Sequence, residues 1–200
     1  AAEGLEHVVM LTLGTGVGGG LLLDGRIYHG ANGGAGELGH IVVEKDGLAC
    51  RCGSQGCLEM YTPAPALARF AGERSGDPVL DPDEELKRLS REGVLTGQAV
   101  AELAERGHPG AVAAVDELSG WLGVGLVSLA NTFDPQMIVV GGGVSGLGEA
   151  LIARARDYVR ENAMPPARHR VQIATALLGN AAGMIGAALV TWGTLGRRQA

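Results

Sequence analysis

Three cysteines, Cys50, Cys52 and Cys57, fall within eight residues, and His40 precedes the first of them by ten. One imidazole and three thiolates complete a tetrahedral shell for zinc, and sulfur donors favour zinc over magnesium or calcium. Four protein ligands leave no open position, so such an ion would hold structure and not activate water. An odd number of cysteines packed this tightly makes a poor disulfide framework. Glu37 lies three residues before His40 and Glu59 two after Cys57. A loop closed on a metal would bring both carboxylates together, an arrangement suited to neighbouring hydroxyls; on spacing alone, two solvated glutamates are the simpler reading.

A second source of chemistry is glycine, 34 of 200 residues, against a usual level of about 7%. Eleven of these fall among the 26 residues from Gly14 to Gly39. In Gly14-Thr15-Gly16-Val17-Gly18-Gly19-Gly20 a hydroxyl sits between glycines, so backbone N–H groups and the threonine could meet a phosphate; a bare hairpin fits the same residues. Gly141-Gly142-Gly143 follows an apolar run and precedes a helical one, where a helix N-terminus could face a nucleotide or serve only as a packing point. Neither cluster is a P-loop or a G-x-G-x-x-G turn in a βαβ unit.

The elements that must position these residues alternate. Strands are expected over His7–Leu13, Leu21–Leu23, Leu38–Val43, Met137–Val140 and Val171–Ala174, with Asp24-Gly25 as a hairpin turn. Helices are expected from Thr62, from a cap in Asp81-Pro82-Asp83-Glu84, from Thr96 to near Gly107, over Pro109–Thr132, Leu147–Asn162 and Asn180–Leu195. Asp81 to Glu85 and Arg154 to Arg160 read as solvated helix faces. This alternation implies an α/β layered sheet.

Composition narrows the function classes. The chain is 46% hydrophobic and 19% charged, enough for a packed core. Net charge is −6 and the 14 arginines are scattered, so no basic stripe offers a nucleic-acid footprint. Met184–Leu195, the run read as most apolar, is too short for a bilayer, and no signal-type leader opens the chain. A cytoplasmic protein with no membrane partner is the expectation.

Together these motifs resemble the ROK family of sugar kinases, repressors and related open reading frames, most closely its glucokinase branch. Leu13-Gly-Thr-Gly-Val-Gly-Gly-Gly20, then Gly25, Gly30, Gly33 and Ala35-Gly-Glu-Leu-Gly-His40, is similar to the family signature in order and spacing. Cys50-Arg-Cys-Gly-Ser-Gln-Gly-Cys-Leu-Glu59 resembles its zinc loop, and Phe133-Asp-Pro-Gln-Met-Ile-Val-Val-Gly-Gly-Gly-Val-Ser145 its nucleotide-side strand and turn. The resemblance covers roughly residues 5 to 195.

It implies an actin-like, hexokinase-type ATPase fold, ribonuclease H-like, with two α/β lobes closing over a cleft. It also implies that Glu37, His40 and Glu59 bind the sugar, and that His40, Cys50, Cys52 and Cys57 bind structural zinc within a loop spanning residues 40–59. Gly14, Thr15, Gly16 and the Gly141–Gly143 turn would bind the nucleotide, with Mg-ATP as co-substrate and glucose, the first hexose of glycolysis, as acceptor. The family places an Asp-x-Gly-Gly-Thr turn and an Asn-Asp pair, whose aspartate is the general base, before the segment matched here, and none of the eight aspartates of this chain sits in either context. The expectation is therefore that residues 1–200 form the carboxy-terminal portion of such a kinase, with no catalytic residue of their own, the base upstream, and self-association into a dimer or tetramer. Three other readings stay open: the sugar-sensing domain of a ROK repressor, a non-catalytic, zinc-stabilised sugar-binding module, and a ROK kinase for another sugar such as N-acetylmannosamine, fructose or allose.

Overall fold

A computed structural model describes residues 2–178. Five strands, β1 (Val8–Leu13), β2 (Val17–Leu23), β3 (Arg26–Ile27), β4 (Met137–Gly141) and β5 (Gln172–Thr175), form one sheet in the order β3-β2-β1-β4-β5. β1 pairs antiparallel with β2 through the glycine turn, and β2 with β3 through Asp24-Gly25, both residues at positive φ as a tight hairpin turn demands. β4 lies parallel to β1 and β5 parallel to β4. Met-Ile-Val-Val-Gly of β4 is buried throughout, the pattern of a strand covered on both faces.

The helices are α1 (Ala64–Gly72), α2 (Glu85–Arg91), α3 (Gly97–Glu105), α4 (Pro109–Phe133), α5 (Glu149–Asn162) and α6 (Ala167–Arg170). Thr96 caps α3 by accepting the Ala99 N–H at 3.2 Å, and Pro109 opens α4 where its missing N–H costs nothing. α4 is the organising helix. Its 25 residues have the length and hydropathy of a membrane span, whereas the sequence alone pointed to Met184–Leu195 as the most apolar helical run. Here Leu118, Leu122, Leu126 and Leu129 are buried at helical spacing in the same core as Val9, Leu11, Ile138 and Val140 of the sheet. Two glycines on α4 admit close neighbours: Tyr158 of α5 at Gly123, and Leu58 at Gly125, where an added methyl would lie 2.8 Å from the leucine.

Three expected elements differ: the helix expected from the Asp81-Pro82-Asp83-Glu84 cap begins only at Glu85, after Glu84 in the left-handed region and without a side-chain cap. Leu38–Val43 is no strand: Leu38–His40 forms a 3-10 turn, and Val42 makes only an isolated bridge to Cys57. Leu147–Asn162 begins later, with a 3-10 turn over Gly143–Leu147 before α5 starts at Glu149. The helix expected over Asn180–Leu195 lies outside the described residues.

Candidate functional site

The cysteine loop is built mainly from backbone hydrogen bonds between short turns. Val43 and Glu44 N–H groups both donate to the Gly56 carbonyl, Gly56 donates to Leu48, Cys50 donates to Ser54, and Leu58 donates to Ile41. Gly56 has φ +71°, and any Cβ there would overlap the Glu44 carbonyl, so the return of the loop requires glycine. Tyr61 closes the far side by accepting the Leu48 N–H through its hydroxyl at 2.8 Å. Leu58, fully buried against α4, anchors the whole loop to the core.

This framework brings one donor atom each of His40, Cys50, Cys52 and Cys57 within 4.8 Å of one another. Cys50 Sγ is 3.6 Å from His40 Nδ1, and Cys52 Sγ is 3.6 Å from Cys57 Sγ. Around a tetrahedral zinc with Zn–S of about 2.3 Å and Zn–N of about 2.0 Å, ligand atoms stand roughly 3.3–3.8 Å apart, whereas a disulfide would need about 2.0 Å. The four residues therefore fit zinc in chemistry and in spacing. Burial pushes the Cys57 thiol up to about 12, while a backbone N–H at Ser54 and the Cys50 side chain hold the exposed Cys52 thiol below its ordinary value. His40 turns Nδ1 toward the cysteines and Nε2 outward, 3.8 Å from Glu37 Oε2.

Beside the loop opens a cleft of about 410 Å³ lined by Thr15, Gly16, His40, Arg51, Cys52 and Glu59. It thus joins residues read separately as phosphate-binding and as sugar-binding. The join is direct: Glu59 Oε2 accepts the Val17 N–H at 2.9 Å, and a methyl on Gly16 would lie 2.5 Å from that same oxygen. The Gly14 carbonyl accepts the Ala64 N–H at 2.9 Å, fixing the turn to the start of α1. Arg51 is the residue that the sequence reading passed over. Its position between two metal-spacing cysteines, which leaves its backbone little freedom, was the available signal.

The second glycine cluster divides. Gly141 belongs to β4, under Met10, and Gly142 packs on the Leu13 backbone. Gly143 lines a cavity of about 360 Å³ together with Val144, Gly146 and Leu147, across from Leu67 of α1 and Gln98 and Glu102 of α3. The register Thr12↔Gly141 sets both glycine turns at the carboxyl ends of adjacent parallel strands, the end where open α/β sheets bind ligands.

A further group was misread from sequence. Asp81 is not on a solvated face; it is 2% exposed. Its carboxylate accepts the N–H groups of Gly76, Leu86 and Lys87 at 2.9–3.0 Å and faces His108 Nε2 at 3.4 Å. Burial alone would raise its pKa, but those three hydrogen bonds and the imidazole outweigh it and hold the group below the usual carboxylate range.

The family model for the ROK family matches residues 1–193. Over 192 residues the chain is 38% identical to the glucokinase of Halalkalibacterium halodurans, a match covering 93% of this chain and 56% of that protein. It is 39% identical over 190 residues to the glucokinase of Streptomyces coelicolor, covering 93% and 59%. A xylose repressor of Caldicellulosiruptor bescii is 27% identical, covering 91% and 45%. Among solved structures, a ROK family glucokinase from Streptomyces griseus in complex with glucose and AMPPNP is similar with a TM-score of 0.82 at 39% identity, covering 95% of this chain and 62% of that one. The chain thus spans under two thirds of these relatives, and its sheet and helices have the actin-like, hexokinase-type architecture of ROK glucokinases.

Proposed function

This chain belongs to the ROK family, and from that premise we propose that it carries the sugar-binding and phosphate-binding part of an ATP-dependent hexose kinase, with glucose as acceptor. The observation that carries the reading is the Glu59 carboxylate resting on the Gly16-Val17 backbone. It puts a carboxylate able to hold sugar hydroxyls against a turn able to hold phosphates, in one cleft.

In this reading Glu59 and His40 Nε2 orient the hexose, with Glu37 approaching from the rim. Thr15 and the turn's N–H groups donate to phosphate oxygens, and Arg51 faces the charge that develops on the transferred phosphoryl group. Zinc held by His40, Cys50, Cys52 and Cys57 would supply a rigid loop. The reaction is in-line transfer of the γ-phosphoryl group from Mg-ATP to the 6-hydroxyl, a chemistry dominated by positioning and charge stabilisation. Gly143 and the α3 face across from it, with Gln98 and Glu102, suit the adenosine end. None of the eight aspartates of the sequence lines the cleft, so we place the general base outside these residues. The sugar-sensing repressor reading draws on relatives of lower identity, 27% against 38–39%, and leaves the phosphate turn without a task.

Calorimetric titration with glucose tests the assignment. Glu59→Gln should raise the dissociation constant roughly 10- to 150-fold, the loss of a charge-assisted hydrogen bond worth about 1.5–3 kcal/mol, while zinc content stays constant. Unchanged affinity would count against the site. Normal hexokinase turnover by these 200 residues in a coupled assay would overturn the placement of the base.

A further inference from the structure

At the end of the sheet opposite the two glycine turns lies a cavity that the proposed reaction does not use. It measures about 290 Å³ and opens between α5, α6 and β5. Its lining includes Arg156, Arg160, Arg168, His169 and Gln172, and no carboxylate. In a chain of net charge −6, three guanidinium groups line one small hollow, and the carboxylates that two of them meet, Glu149 and Asp157, are not part of that lining.

The three arginines are held differently. Arg156 donates to both Glu149 oxygens at 3.2 Å and to the Ile173 carbonyl at 3.3 Å, which fixes its fork against β5. Arg160 is paired only with Asp157, an exposed neighbour on its own helix, at 3.1 Å. Arg168 is half-buried, donates Nε–H to the Ala163 carbonyl at 2.8 Å, and has no carboxylate partner among the described residues. Its two terminal amino groups thus remain for a ligand, in the planar fork that suits a tetrahedral oxyanion better than lysine would.

We propose that this cavity is a binding site for the phosphoryl group of a small molecule, either inorganic phosphate or a phosphate monoester. Gln172 pairs with Met137, at the amino end of β4, whereas the two glycine turns leave β1 and β4 at their carboxyl ends. The site is therefore distinct from the substrate cleft, and it stands whether or not the kinase reading does.

The test follows the imidazole resonances of the intact chain by NMR at constant ionic strength, with His169 identified by His169→Gln. Inorganic phosphate and glucose 6-phosphate are titrated separately. A saturable shift of His169 with either probe, weakened at least tenfold in Arg168→Gln, is the expected result; the probe that binds more tightly identifies the source. Arg160→Gln, at an exposed position, should weaken binding too and guards against a folding defect in the first variant. No saturable shift, or a shift equal to that given by chloride, or equal affinities in wild type and both variants, would overturn the proposal.

Discussion

Among the described residues two side-chain clusters have the composition of a metal site, and only one of the two has donors to spare. His40, Cys50, Cys52 and Cys57 converge within 4.8 Å, as do Asp81, Asp83 and His108. In the first group the donor atoms face one another and their loop is held by backbone bonds elsewhere. In the second, both Asp81 oxygens are engaged by N–H groups of Gly76, Leu86 and Lys87, and His108 Nδ1 accepts the Ala111 N–H at 3.4 Å, which leaves Nε2–H to donate to the carboxylates. Proximity is common to both. What separates them is whether the lone pairs already have work, so one cluster has donors able to take up a metal ion and the other is a polar hub that ties the 73–92 segment to the start of α4.

That contrast can be broken most sharply at Cys57. Cys57→Ser should reduce zinc from one per chain to background and abolish glucose binding with it, as read by metal analysis and calorimetry. Retention of zinc would erase the distinction. Asp81→Asn should leave zinc at one per chain but cost about 3 kcal/mol, since a charged acceptor of three N–H groups is lost. That is a fall in melting temperature of roughly 6–12 °C for a chain of this size.

A smaller, graded effect follows from acid. The folded pKa of Asp81 lies below its unfolded value near 3.8, and Asp77 and Asp83 are lowered chiefly by backbone N–H bonds. Their stabilisation is present in full above the unfolded value and is lost as pH falls through the folded one. Thermal melts should therefore drop steeply below about pH 4, and the drop should be shallower in Asp81→Asn. Asp83→Asn should change least, because its carboxylate is exposed and meets only the Glu85 N–H and the outer side of His108.

The same contrast explains what could be read from sequence. The cysteine spacing and the glycine turns were legible because each is a local pattern whose chemistry needs those residue types close together. Asp81 was not: Asp-Pro-Asp-Glu has the form of a helix cap, and only the fold reveals that its N–H donors come from both sides of a turn and its imidazole from 27 residues away. The apolar run Leu38–Val43 suggested a strand, yet the close approach of Gly39 to the Val17 backbone and the inward turn of Leu38 bend it into a 3-10 turn instead. The seat of Leu58 on Gly125 of α4, which holds the cysteine loop in place, joins positions 67 residues apart and left no local mark.

Gly16 carries one more consequence. Because Glu59 rests where its side chain would be and holds the Val17 N–H, the carboxylate and the turn share a single degree of freedom. Any ligand that draws Glu59 toward the cleft also resets the turn. In the proposed reading, with a sugar on Glu59 and phosphates on the turn, reciprocity of binding free energies requires that whatever factor the sugar imposes on nucleotide affinity, the nucleotide returns to the sugar. Under the proposed assignment, the absence of one methyl group makes the two subsites partners in a common equilibrium, so that the occupancy of each is information available to the other.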